Sequence, residues 1–211
     1  MVTMTTARRG PGRPRRADQR DTAVAILSAA TELFARRGYD AVGMRDVATA
    51  AGIDVATVHH HVGTKAELYR ACFAKVFEAE SEALAAAVAA ARASVGEGEQ
   101  ETFKHLHALL DAFVDFLEKV PETTGLWLRR WSEPDLHAEL DAAFATPLYQ
   151  AVESVLTAAD RQGLLSEPTP HIAVRSLVWA VHAHVVSGKR TSRERAAFRA
   201  FVHRWVDRMY R

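Results

Sequence analysis

The chain has 211 residues, 48% of them apolar and 25% charged, with a formal net charge of +1. That length and balance suit a soluble globular protein with one or two domains and a sizeable core. Cys72 is the only cysteine, which excludes an intrachain disulfide and a cysteine-cluster zinc site. No apolar run is long enough to cross a bilayer, and the arginine-rich start lacks the apolar stretch of a secretory signal. An intracellular, cytoplasmic protein is expected.

The charge is unevenly placed. Residues 1–70 carry eleven Lys/Arg against seven Asp/Glu, a net +4, while residues 71–211 carry sixteen against nineteen, a net −3. A polyanion-binding head on a near-neutral body has this distribution.

Residues 1–17 read as a basic disordered arm, small, polar and broken by Gly and Pro. Within it Gly10-Pro-Gly-Arg-Pro-Arg-Arg16 resembles an AT-hook core, an extended backbone suited to a narrow minor groove. Arg13, Arg15 and Arg16 are the expected contacts; a solvated basic tail is the plainer alternative.

A helix is predicted from Asp18 to Arg37, with Ala23, Ile26, Leu27, Ala30, Leu33 and Phe34 as its buried stripe and Gly38 at its end. Met44 to Val62 then reads as two short helices around a tight turn at Gly52, where a left-handed residue would end the first helix. Asp54 offers a side-chain oxygen to cap the second helix. Val55, Val58 and Val62 share one face of it, leaving Ala56, Thr57, His59 and His60 outward. So short a helix buries too little to be there for stability alone. It has the form of a helix-turn-helix recognition helix, which enters the major groove; an ordinary αα-hairpin is the competing reading. Thr64-Lys-Ala-Glu67 is a capping box opening a long alanine-rich helix to about Ala93. Lys65 stands in its first turn against the helix dipole, a placement suited to a phosphate.

Further helices are predicted over Glu101–Val120, Glu122–Trp131, Asp135–Gln162 (kinked or split by Pro147), Pro170–Val186 and Ser192–Tyr210. No strand pattern appears. The expected fold is all-α with about nine helices: a three-helix helix-turn-helix domain over residues 18–66 and a helical ligand-binding and dimerisation domain over 67–211.

Three segments resemble the TetR family of transcriptional regulators: Ala-Ala-Thr-Glu-Leu-Phe-Ala-Arg-Arg-Gly-Tyr39, Met44-Arg-Asp-Val-Ala-x-Ala-Ala-Gly-Ile53, and Thr57-Val-His-His-His-Val62 with Lys65-Ala-Glu-Leu68. The resemblance implies a homodimer on a palindromic double-stranded DNA operator, a repressor released by a small molecule. By position it implies DNA contacts from Thr57, His59 and His60 and a phosphate held by Lys65; Arg45, Asp54 and Ala56 complete the expected interface. The chain departs from the family at His59 (usually tyrosine), Val62 (usually phenylalanine) and Gly43 (usually threonine).

For a small apolar or amphipathic ligand the candidate residues are Phe103, His107, Phe113, Trp127, Trp131, Phe144, Tyr149 and Trp179, which could equally fill a core. The helices over about 170–187 and 192–210 are the candidates for dimerisation, the first being apolar around much of its circumference. Consecutive His59, His60 and His61 lie about 100° apart on a helix and cannot converge on one ion. No helical zinc motif, phosphate loop or nucleophile elbow is present. No metal, cofactor or enzymatic activity is expected. A DNA-binding protein without an effector, architectural or global, is the alternative function, with a small all-α enzyme the weaker one.

Overall fold

In the computed structural model residues 16–129, 138–188 and 191–211 are described, and among them the chain forms nine α-helices and no strand. They are α1 (Arg16–Arg37), α2 (Met44–Ala51), α3 (Val55–Val62), α4 (Lys65–Ser94), α5 (Glu99–Lys119), α6 (Pro121–Arg129), α7 (Thr146–Arg161), α8 (Pro170–Val186) and α9 (Ser192–Tyr210). The arm reading falls mostly outside the described residues, Arg13 and Arg15 included. Arg16 and Ala17 are helical, so α1 reaches two residues into the stretch expected to be disordered.

The first three helices cannot bury their apolar stripes alone and close on the start of α4. Ile26, Ala30 and Phe34 of α1, Val47 and Ala48 of α2, Val58 of α3, and Leu68 and Tyr69 of α4 are all buried in one cluster. Phe34 and Tyr39 both pack on Tyr69, each with ring centroids 4.9 Å away, and Tyr69 continues to Phe73 at 5.0 Å. This aromatic column fixes the helix-turn-helix to α4. Cys72 lies beneath it, where burial pushes its thiol up to about 11, so it sits as an inert small hydrophobe.

At 1.5 Å per residue α4 is roughly 45 Å long, and its thirty residues carry both cores. Leu68 and Tyr69 belong to the first; Phe77, Leu84 and Ala91 belong to the second, which α5, α7 and α8 complete. The helix expected over Asp135–Gln162 is divided next to Pro147, which stands in the first turn of α7. A π-helical turn, Asp141–Ala145, runs directly into α7, with the Thr146 N–H bonded to the Asp141 carbonyl. The widened turn takes up the register that Pro147, lacking an N–H, cannot continue.

Candidate nucleic-acid interface and ligand cavity

Three local devices set the angle between α2 and α3. Gly43 has no side chain to cap α2, but the Asp46 carboxylate accepts the Gly43 N–H at 2.7 Å. Gly52 is left-handed at φ 70°, its N–H bonds the Thr49 carbonyl, and the Ile53 N–H reaches back to the Ala48 carbonyl at 3.0 Å. Together these bonds satisfy the last carbonyls of α2 in a Schellman-type stop. Asp54 then starts α3 by accepting the Thr57 N–H at 2.8 Å and the Thr57 hydroxyl at 2.6 Å. Those bonds hold the Asp54 carboxyl below its ordinary value.

Val58 is fully buried and Val55 and Val62 half-buried, so the predicted inner face of α3 packs as expected. On the other side Ala56, His59 and His60 are exposed and Thr57 is half-buried. Two of these polar groups are already engaged. The Thr57 hydroxyl donates to Asp54 and keeps only its lone pairs for another partner, and His59 Nδ1 lies 2.9 Å from the Gly63 carbonyl. Arg45 is exposed on α2, one turn before Thr49, whose hydroxyl donates to the Arg45 carbonyl. Lys65 begins α4 with its ammonium 4.3 Å from the centre of the Tyr39 ring. That cation–π contact steadies a cation that the α4 dipole disfavours. Beside it the Thr64–Glu67 capping box closes with Thr64 N–H and O–H donors each 2.8 Å from Glu67 Oε2.

An aliphatic cavity of about 710 Å³, counting its open mouth, lies in the second core. Leu106, Leu110 and Phe113 of α5, Tyr149 of α7, Leu177 of α8 and Tyr210 of α9 are among its walls, and α4 contributes Glu80 and Leu84. Of the predicted ligand residues the structure brings Phe113 and Tyr149 to this cavity. Phe103 is buried under the Arg211 guanidinium, His107 stacks on His203, and Phe144 stacks on Phe77. Trp127 lies behind the wall, donating to the Tyr149 hydroxyl at 2.7 Å, and Trp179 meets it edge-on while 45% exposed. Trp131 lies outside the described residues. Sequence favoured aromatics, whereas the cavity is mostly Leu and Val, residue types too common in any core to be singled out.

A polar seam runs between α5 and α9. His107 and His203 stack with ring centroids 4.4 Å apart and planes at 4°. His203 Nε2 lies 3.0 Å from Asp111 and His107 Nε2 3.2 Å from Asp207, the second too poorly aligned for a hydrogen bond. Arg199 reaches Asp111, Asp115 and Glu118, and Arg211 reaches Asp207. Burial first, then the charge of His203, holds His107 below the ordinary imidazole value, against the opposing pull of Asp207 and Asp111. A histidine with a lowered folded value binds its proton more readily when unfolded, so the seam loses stability as pH falls below about 6.5. The melting temperature of the protein should therefore drop more between pH 7.5 and pH 5.5 than that of His107→Gln; equal drops would contradict this.

Sequence reasoning also missed the contact between the two cores. Gly125 on α6 lies so close to α1 that a Cβ there would stand 2.8 Å from Ala35 Cβ and 3.0 Å from the Ala35 carbonyl oxygen. Beside it Arg129 Nη2 donates to the Arg36 carbonyl at 2.7 Å. On the other side of α6, His182 of α8 is buried with Nδ1 3.0 Å from the Thr124 hydroxyl and its ring stacked 4.1 Å from Trp127. A glycine inside a helix costs about 1 kcal/mol relative to alanine and calls for a packing reason, which was the available signal.

Comparison with known proteins agrees with this architecture. Residues 26–72 match the model of the tetR family of bacterial regulatory proteins. The HTH-type transcriptional activator FasR of Mycolicibacterium smegmatis is 32% identical over 121 residues, covering 54% of this chain and 52% of FasR. The chain thus spans about half the length of that relative. A TetR-like transcriptional regulator from Rhodococcus sp. RHA1 superposes with a TM-score of 0.67 at 21% identity, covering 92% of this chain and 98% of that one. AibR, solved in complex with isovaleryl coenzyme A and operator DNA, gives a TM-score of 0.67 at 18% identity, over 86% and 96% of the two chains. At such identities the structural likeness is one of fold. The family model falls on the helix-turn-helix, so residues 26–72 match the tetR family of bacterial regulatory proteins, and the helical architecture behind them is shared with these structures as a fold.

Proposed function

We propose that the protein is a homodimeric repressor that binds a palindromic operator and is released by a small apolar or amphipathic ligand. The observation that carries this reading is one continuous helix, α4, which shares a core with the exposed helix α3 and forms a wall of the aliphatic cavity. Residues 18–66 act as the DNA-binding domain and 67–211 as the ligand-binding and dimerisation domain. In the groove Ala56, Thr57 and His60 face base edges; Arg45, His59 and Lys65 take phosphates. Asp54 acts through Thr57, orienting it. The arginines of the N-terminal arm, Arg13, Arg15 and Arg16, add contacts in the minor groove.

Dimerisation is proposed through α8 and α9, which expose Ile172, Trp179, Val186, Phe201 and Met209. Large apolar side chains gathered on two adjacent helices suit an isologous four-helix interface. For the ligand, the Leu- and Val-rich wall suits an aliphatic chain such as the acyl group of the coenzyme A ester in AibR. The chemistry is that of a regulator in the cytoplasm, with no catalytic step.

The test is a gel shift at near-physiological salt with the duplex upstream of the protein's own reading frame and excess unrelated DNA, since phosphate attraction alone mimics binding. A competitor-resistant complex of dimer stoichiometry is expected, weakened when residues 1–17 are deleted. If neither that duplex nor any recovered from a random pool survives competitor, the protein is not a specific regulator.

A further inference from the structure

The ring of His59 is held in one orientation, and that orientation settles which of its nitrogens can donate. Nδ1 lies 2.9 Å from the Gly63 carbonyl oxygen. A carbonyl oxygen only accepts, so the hydrogen between them belongs to Nδ1. In the neutral ring Nε2 is then a bare lone pair on the exposed side of α3. A phosphate oxygen is also only an acceptor, so neutral His59 has nothing to offer it. The imidazolium, by contrast, keeps its bond to Gly63 and presents a charged Nε2–H outward.

From this we infer that His59 binds the DNA backbone only as an imidazolium, so that operator binding takes up a proton. The inference rests on the DNA-binding function proposed above. His59 is the fifth of the eight residues of α3 and is tied to the helix's C-terminal end. The bond to Gly63 turns the His59 ring toward the C-terminal end of α3, away from the N-terminal residues that meet base edges, which suits a phosphate. A cation at a helix C-terminus is also favoured by the helix dipole.

The charged groups around His59 offer the proton no other holder. On its own helix Asp54 is committed to the Thr57 N–H and hydroxyl. From α2 Asp46 is committed to the Gly43 N–H, and Arg45 is a like charge. From α4 Glu67 is committed to Thr64, and Lys65, over the Tyr39 ring, is again a like charge. His60 and His61 touch each other edge-on at 5.5 Å, and α1 meets α3 within the shared apolar core. Among the described residues no carboxylate forms an ion pair with His59, the nearby ones being turned to helix caps, so the phosphate itself is the direct partner of the charged ring.

The experiment uses the full-length chain and a fluorescein-labelled duplex enriched from a random pool by that chain at pH 6.0. Affinity is read by anisotropy at pH 6.0 and pH 8.0 at one ionic strength. One linked proton changes affinity by at most about tenfold per pH unit, and a weakening of about tenfold is expected across this range. His59→Tyr should flatten the dependence, because a phenol donates at both pH values, whereas His60→Gln should keep it. Circular dichroism at both pH values checks that each variant stays folded. An enriched duplex bound equally at both pH values, or a His59→Tyr variant that keeps the wild-type pH slope, overturns the inference and leaves DNA binding standing. A pool from which nothing is enriched overturns the DNA-binding function and the inference with it.

Discussion

Phe34→Ala is expected to destabilise the protein by about 3–5 kcal/mol, the range for truncating a fully buried aromatic residue. Phe34 has no exposed surface and packs edge-on against Tyr69 at 4.9 Å and in parallel with Tyr39 at 6.2 Å. Its neighbours cannot close the hole easily. Tyr69 is itself gripped by Tyr39 and Phe73, and all of them are anchored on α1 or α4 or in the loop between α1 and α2. Against a total stability of about 5–15 kcal/mol for an ordinary domain, the loss is enough to melt the helix-turn-helix near physiological temperature. Denaturant unfolding measures it directly, with Phe34→Leu as the calibrating variant that should cost less, about 1.5 kcal/mol. If Phe34→Ala lies within about 1 kcal/mol of the unsubstituted protein, the aromatic column is not what holds α1 to α4.

That column shows which parts of the molecule could be read in advance. Phe34 stands in a stripe of helical period ended by Gly38, and the turn at Gly52 and the cap at Asp54 are local devices written in a few adjacent residues. Such features need no knowledge of the rest of the chain, and they are found where the sequence places them. The helices of the second core are equally legible as helices, from their apolar period and their caps. What their residues meet is not. Phe103 and His107 carry the same period as Leu106 and Leu110, yet the first pair turns to Arg211 and His203 while the second lines the cavity. A rotation of tens of degrees about a helix axis separates the two outcomes, and only packing against α9 decides it. Likewise spacing places Thr57 and His59 on the outward face of α3 but does not show what they already hold. Their hydrogen bonds to Asp54 and Gly63 depend on side-chain rotamers, which sequence spacing does not determine.

Gly125→Val is expected to uncouple the cores and weaken operator binding by about 5- to 150-fold, the span of a coupling free energy of 1–3 kcal/mol. The substitution adds a Cβ where Ala35 Cβ would be 2.8 Å away and the Ala35 carbonyl oxygen 3.0 Å away. A flexible side chain could swing aside, but a methyl on a helix and a backbone carbonyl cannot, so α1 and α6 must separate. Separation strains the Arg129 bond to the Arg36 carbonyl and moves the end of α1 that carries Phe34 and leads through Tyr39 into α2. On the other side α6 is held to α8 by His182 and Thr124, and α8 forms part of the cavity wall, so the same shift is the one a ligand could impose. Gly125→Ala is the finer instrument. Alanine gains about 1 kcal/mol of helix propensity over glycine, which offsets part of an overpacking cost of about 1–3 kcal/mol. Its net stability should change little while its operator affinity still falls. Adding Ala35→Gly removes the opposing methyl and should restore part of that affinity, a non-additivity expected only of residues in contact. If Gly125→Val binds a selected duplex as tightly as the unsubstituted protein, the α1–α6 contact carries no signal to the recognition helix, and any effect of a bound ligand on DNA must travel along α4 alone.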